Sequence, residues 1–410
     1  MPKLSKKAIY IKEYEAVVAS RVRKACIRFY LDDEDSFEDE IDECMLRELA
    51  VLKESRYIFR GLYRQWETTW ERVLYDCSYL TDDEFLSHFH MDRSCVMQLN
   101  SLVEDDQEFR SVSGKQVKRS SMLHVMVLLK FLGSYGNDAA LAKLGLMLGI
   151  SKGAVNDYVR RACNAILKHR DTVIKWPSVE ERRDISGRIR KAHGFVNCVG
   201  LIDGTLFPLS FAPMVNGEDY YTRKGDYAIK GLVICDDAAR ITWVEMGWPG
   251  SVHDNRVWVN SDVYLDTDKY FDQKEYLLGD SAFSASAVMI PAFKKGHNRN
   301  LSEEQRYFNN KLAKIRIKSE HCIGLLKARF QRLRGFRRVI KEKKDLDTIL
   351  RHAMCACILH NLLIDHPVPP DWLEETLEEL DQDDELNQSV GQSGGDTRRN
   401  QVFAYMLEER

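Results

Sequence analysis

The sequence predicts an α/β catalytic core preceded by an all-α region, and three observations carry that expectation. Apolar residues recur at helical intervals, with few glycines, from Ala8 to about Val103 and again from Val117 to about Lys168. After Gly194 the texture changes to short β-rich runs separated by Gly, Asp and Pro turns. Helical pattern then returns from about Ser302 to Phe330 and from Leu346 to Ile364, and strands followed by helices make an α/β or α+β core.

Taken in order, Leu46, Leu49, Leu52, Ile58 and Phe59 carry the first helical periodicity, which Ser-Val-Ser-Gly at 111–114 breaks. In the second block Ala139 to Leu148 reads as a short helix, Gly149 as a turn, and Ser151 as the N-cap of a helix running to about Leu167. That is helix-turn-helix spacing. Leu141, Leu144 and Leu148 would face Val155, Val159 and Ala162, leaving Lys152, Asn156, Arg160 and Arg161 outside, where a recognition helix touches DNA. Pattern alone fits an ordinary helical hairpin equally well. Trp176-Pro177 marks a boundary, and strands are expected at Phe195 to Ile202, Ala228 to Cys235, Ile241 to Met246 and Tyr276 to Leu278. The chain therefore divides into a helical region (1–110), a helix-turn-helix segment (111–176), a catalytic core (190–365) and an acidic, loosely ordered tail (366–410).

At 410 residues and 44% hydrophobic content, the chain can bury the cores of two or three domains. No apolar run is long and uninterrupted enough to span a bilayer, and the start lacks the apolar core of a signal peptide, so an intracellular protein is expected. The ten cysteines form no Cys-x-x-Cys pair and read as reduced. A net charge of −3 conceals segregation: residues 111–200 hold 16 Lys/Arg against 6 Asp/Glu, and residues 292–345 hold 17 against 5. Residues 32–43 and 371–386 carry nine acids each. Two basic regions between two acidic ones are compatible with a polyanionic partner, although basic runs are more often solvated helix faces.

The acids among the core elements carry the chemistry. Asp203 follows the apolar run ending Gly-Leu-Ile, and Asp280 follows Tyr-Leu-Leu-Gly, so each carboxylate stands where a core strand opens into a turn. If those strands are neighbours, the two charges repel unless a cation lies between them. Oxygen ligands without His or Cys partners select Mg²⁺ or Mn²⁺. Glu320 lies on a helical face with Arg316, Ile323, Gly324 and Lys327, where it either joins the acids or pairs with a neighbouring base. Asp254 follows Trp-Pro-Gly-Ser-Val-His and either caps a helix or reaches the metal site.

Five ordered segments together resemble the PIF/Harbinger superfamily of DDE transposases and its derived nucleases. They are Leu201-Ile-Asp-Gly-Thr, Tyr220-Tyr-Thr-Arg-Lys-Gly, Trp248-Pro-Gly-Ser-Val-His-Asp-Asn-Arg-Val-Trp, Leu277-Leu-Gly-Asp-Ser-Ala-Phe and Glu320-His-Cys-Ile-Gly-Leu-Leu-Lys-Ala-Arg-Phe. The stretch from Phe131 through Val159 is similar to that family's helix-turn-helix. The resemblance implies an RNase H-like mixed sheet with flanking helices, a catalytic triad of Asp203, Asp280 and Glu320, and Asp254 among the metal-site carboxylates. It implies two-metal phosphodiester cleavage and joining, with ions ~3.5 to 4 Å apart. Tyr221, Arg223, Lys224, Arg316, Lys327 and Arg329 are then candidate DNA phosphate contacts beside Lys152, Asn156, Arg160 and Arg161. It also implies nuclear work on transposon ends and target DNA, a separate Myb/SANT-like accessory protein that the acidic segments could help dock, and a homodimer. A cytoplasmic fraction is expected without that partner. A domesticated host protein that keeps the fold without transposition is the alternative, and a small-molecule hydrolase would need neither the helix-turn-helix nor the basic blocks.

Overall fold

The computed structural model describes residues 6–31, 36–55, 69–110, 120–294, 300–374, 376 and 396–408. Ile58, Phe59, the 111–114 break, Val117 and most of the acidic run at 371–386 lie outside the described residues. The chain forms two compact units, residues 1–66 and 67–410.

In the first unit, α1 (Lys6–Tyr30) packs with α2 (Ser36–Glu54). Acids at the start of α2 are met from α1: Arg21 bonds Glu38 and Asp42, each at 2.5 Å, and Arg28 bonds Asp42 at 3.0 Å and Asp39 at 3.2 Å. The acidic stretch expected to dock a basic partner is thus partly engaged within its own unit.

The second unit begins with α3 (Trp70–Tyr75), α4 (Asp82–Phe89) and α5 (Arg93–Val103). Val73, Phe85, Leu99 and Phe109 share one continuous core with the later helices, so packing does not break at residue 110. At the centre stands α6 (Ser121–Gly133), capped by Ser120, with eleven of its thirteen residues buried. A helix apolar on every side is a core helix at this length, and none among the described residues is long and apolar enough to cross a membrane. Next come α7 (Leu141–Met147) and α8 (Lys152–Leu167), joined through Gly149 at φ +66° and capped by Ser151, which accepts from the Ala154 amide. Leu144, Leu148, Val155, Val159 and Ala162 are buried as the spacing requires.

After α9 (Arg170–Val173), α10 (Val179–His193) was not among the expected elements. Only Arg182, Ile185 and Ile189 are buried along it, too few for a clear apolar stripe, but its ends are written in the sequence. Ser178 and Glu181 form a capping box, and Gly194 at φ +84° closes the helix.

Five strands follow: β1 (Cys198–Pro208), β2 (Ala228–Cys235), β3 (Ile241–Pro249), β4 (Tyr276–Gly279) and β5 (Met289–Pro291). The sheet order is β3-β2-β1-β4-β5, with β2 antiparallel to β1 and β3, β4 parallel to β1, and β5 parallel to β4. On one face lie α14 (Glu303–Arg329) and α15 (Lys343–Leu362), over Leu201, Val233, Cys235 and Leu278. On the other lie α11 (Asp254–Val259), α12 (Asp262–Leu265) and α13 (Thr267–Tyr270), over Ile202, Leu232, Ile234 and Leu277. The C-terminal helix Asp396–Glu408 is packed rather than loose: Val402 and Met406 are buried, and Phe403 meets Phe293 and Phe308.

Buried Arg182 ties α10 to the segment before β4, bonding Glu275 at 2.7 Å, Asp272 at 3.0 Å and the Pro177 carbonyl at 3.0 Å. Because Glu275 is itself mostly covered, Arg182→Met should cost about 3 kcal/mol or more in urea unfolding. A loss below about 1 kcal/mol would show the pair to be screened by solvent.

Candidate active site

Asp-Gly-Thr lies inside β1, not beyond its end, since the strand starts at Cys198 and continues to Pro208. Successive strand residues face opposite sides. Asp203 pairs with Val233, as Leu201 pairs with Cys235, and all three apolar residues belong to the core beneath α14. The Asp203 carboxylate therefore points at α14, where its Oδ2 accepts from the Ser319 hydroxyl at 3.4 Å while its Oδ1 accepts from the Gly204 amide at 2.9 Å.

Asp280 reaches the same face by register. Leu278 of β4 pairs with Leu201, and Asp280 follows just past the end of that strand at Gly279, so the parallel register carries it towards the level of Asp203. Parity agrees: a side chain at Gly279 would run into Phe283, Met289 and Ile202 on the opposite face, which turns Asp280 towards α14. Its Oδ1 accepts from the Ala282 amide at 2.9 Å, and its charge acts on Lys294, whose ammonium pKa burial otherwise lowers.

Glu320 arrives from α14, and Arg316 one turn earlier links it to the strand acid. The Arg316 guanidinium lies 3.4 Å from Glu320 Oε1 and 3.8 Å from Asp203 Oδ2. Arg316 was expected as a surface contact to DNA phosphate; it is instead a largely covered cation between two acids. Lys327 and Arg329 were expected in the same role, and both are buried. Arg329 donates to the Leu363 carbonyl at 3.0 Å and to that of His366, which withdraws it from DNA.

Asp254 is not brought to this cluster. Its carboxylate lies against Gly204 on the opposite face of β1, where a Cβ at position 204 would stand 2.2 Å from Asp254 Oδ2. Lys230 on β2 donates to its Oδ1 at 2.6 Å, and both side chains are nearly covered. Glycine after Asp203 is thus the opening that lets the second acid in. The signal for its partner stood in the sequence as a single lysine within the apolar strand Ala-Ile-Lys-Gly-Leu-Val-Ile-Cys, since a buried lysine needs a paired acid. That signal was missed, as were Ser319 and Lys294.

Tyr221, Arg223 and Lys224 are exposed on the loop before β2, with Tyr221 against Tyr227 and Arg223 2.9 Å from the His253 ring nitrogen. On α8, Lys152, Asn156 and Arg160 are exposed. Arg161 instead donates to Asp157 at 2.8 Å and to the Glu108 carbonyl at 2.8 Å, holding α8 against the preceding segment. A separate cluster, Asp92, Cys95 and His366, is the one group of three metal-capable side chains with ligand atoms within 4.8 Å of one another among the described residues. It lies at the start of α5 and just past α15, and Asp92 serves there as the helix N-cap.

Comparison with known proteins matches residues 202–361 to the family described as DDE superfamily endonuclease. The chain is 23% identical to "Putative nuclease HARBI1" of Rattus norvegicus over 78% of this chain and 92% of that protein. The Homo sapiens protein of the same name is 22% identical over the same shares. "Protein ALP1-like" of Arabidopsis thaliana is 24% identical over 73% of this chain and 75% of its own length. No solved structure matches.

The pairing of Asp254 with Lys230 gives a double-mutant test. Asp254→Ala alone should destabilise the protein by about 3 kcal/mol or more, because it strands a buried ammonium, whereas Asp254→Ala with Lys230→Met should recover most of that loss in chemical unfolding. Additive losses in the double variant would show that the two side chains do not act as a pair.

Proposed function

We propose that this chain, whose residues 202–361 match the family described as DDE superfamily endonuclease, cleaves DNA phosphodiester bonds by metal-dependent chemistry at Asp203, Asp280 and Glu320. The observation that carries this reading is the link of Asp203 on β1 to Glu320 on α14 through Arg316, with Asp280 one residue past the end of the adjacent β4 on the same side of the sheet. Their donors are all oxygen, and two of them already share the positive charge of Arg316, so the site fits a hard divalent cation such as Mg²⁺ or Mn²⁺. When bound, such a cation supplies activation of the attacking oxygen and charge neutralisation at the leaving oxygen.

The chain's own residues do the rest. Asp203 within β1 and Asp280 just past the end of the adjacent β4 set the floor of the site, and hydrogen bonds from Ser319 and the Gly204 and Ala282 amides hold their orientation. Glu320 closes it from the helix. Arg316 serves as counter-ion and positioning residue for Asp203 and Glu320. Asp254 acts from the far face by fixing β1 against β2 through Lys230, a positioning role rather than metal ligation. Tyr221, Arg223 and Lys224 are placed to contact backbone phosphate. Water as nucleophile gives hydrolysis, and a DNA 3′-hydroxyl at the same position gives strand joining.

The sheet order, with β2 alone running against its neighbours, supports an RNase H-like reading of the fold. The cap, turn and packing of α7 and α8 support a helix-turn-helix. Chromosomal DNA as substrate sets this work in the nucleus.

Asp203→Asn, Asp280→Asn and Glu320→Gln each keep side-chain size and remove a cation-holding charge, so each should lower strand cleavage at least about a thousandfold with little change in DNA affinity. The assay is nicking of labelled duplex by the purified chain in Mg²⁺. Near-normal cleavage by Asp203→Asn or Asp280→Asn would overturn the assignment.

A further inference from the structure

Between α8 and the segment following α14 lies a groove of about 830 Å³, lined on one wall by Lys152, Asn156 and Arg160 and on the other by Arg337, Arg338 and Arg351, with Arg332 also in its lining. No described Asp or Glu lines it. Two of the bases are answered by neighbouring acids: Arg160 by Asp157 at 2.7 Å and Glu108 at 3.7 Å, and Arg338 by Asp345 at 2.9 Å. Arg337 donates only to the Gly136 carbonyl at 2.6 Å and Arg351 only to the Asn164 amide oxygen, so neither charge is met by a carboxylate among the described residues.

Arg332 is the decisive group. It is only 7% exposed, its guanidinium lies 4.3 Å over the Phe131 ring, and its Nε and Nη1 have no hydrogen-bond partner among the described residues. Burial, with a smaller effect from Arg337, lowers its pKa to about 10, which leaves it charged at neutral pH. A buried cation without an anion is costly, and stacking on Phe131 offsets that only in part. An anion brought into the groove would supply what is missing. Guanidinium forks on one wall and an amide and ammonium on the other suit a chain of phosphates better than one carboxylate.

We infer that this groove holds a stretch of DNA phosphodiester backbone, clamped between α8 and the Arg332 to Arg351 segment, apart from the cleavage site. The inference rests on the nuclease reading for its choice of DNA as the phosphate source. It also changes the expected role of α8: Lys152, Asn156 and Arg160 form one jaw of a clamp whose other jaw belongs to the catalytic domain.

Duplex binding by the full chain, followed by fluorescence anisotropy across salt concentrations, tests this. Arg337→Ala with Arg351→Ala should weaken binding and lower the log-log salt slope by about 1.8, two phosphate contacts at ~0.9 each. Arg332→Met, which removes the buried charge and keeps the volume, should weaken duplex binding while leaving thermal stability equal or higher; a merely structural arginine would lose stability. Unchanged affinity and slope in the double variant would overturn the inference. So would stabilisation by pyrophosphate that Arg332→Met abolishes while duplex affinity stays the same, since the groove would then serve a free phosphate compound. The nuclease reading is scored separately, by strand cleavage with the wild-type chain in Mg²⁺, and its failure leaves the binding comparison to stand or fall by itself.

Discussion

A carboxylate in the middle of a buried sheet must have its charge met, and the arrangement around Asp203 follows from that requirement. Its strand is third of five, paired with β2 at this position and with β4 just before it, and the residue is only 8% exposed. On one face it is met by Ser319 and Arg316 from α14, with Glu320 beyond them. On the other face the next residue is glycine, and the space it leaves admits a second buried acid, Asp254, answered by Lys230. Two consecutive residues thus set the positions of one helix above the sheet and another below it.

Much of this was legible in the sequence, for physical reasons. The strand runs, the long helix bearing Glu320 and the cap and turn around Ser151 and Gly149 are local signals, and local signals survive folding. Asp203 and Asp280 could be paired because each ended an apolar run, although β1 continues past Asp203 and the argument from a strand end was inexact. The face each acid occupies was not legible. Parity depends on register between strands far apart in the chain, and without it Asp254 looked like a fellow of Asp203 rather than a neighbour through the strand.

Basic residues were the least readable. Lys327 and Arg329 have the composition of phosphate contacts, yet α14 is so long and so enclosed that its last turn is buried and Arg329 serves backbone carbonyls. Arg161 looked equivalent to Arg160, and both reach Asp157, but a rotation of 100° around the helix leaves Arg160 exposed while Arg161 is partly covered and donates to the Glu108 carbonyl. Conversely Arg332 and Arg337 within a generally basic segment, and Arg351 beyond it on α15, carry no local signal, because only the fold brings them opposite α8. Charge composition indicates that a polyanion could be bound; burial and partners decide which charges remain to bind it.

In the proposed site Asp203, Asp280 and Glu320 hold a divalent cation between sheet and helix. Fe²⁺ substituted for Mg²⁺ reports this directly, since with ascorbate and peroxide it generates hydroxyl radicals that cut the polypeptide beside the bound ion. Cuts are expected near residues 203, 280 and 320, suppressed by excess Mg²⁺. Cutting confined to the neighbourhood of Asp92, Cys95 and His366, or none that Mg²⁺ suppresses, would contradict it.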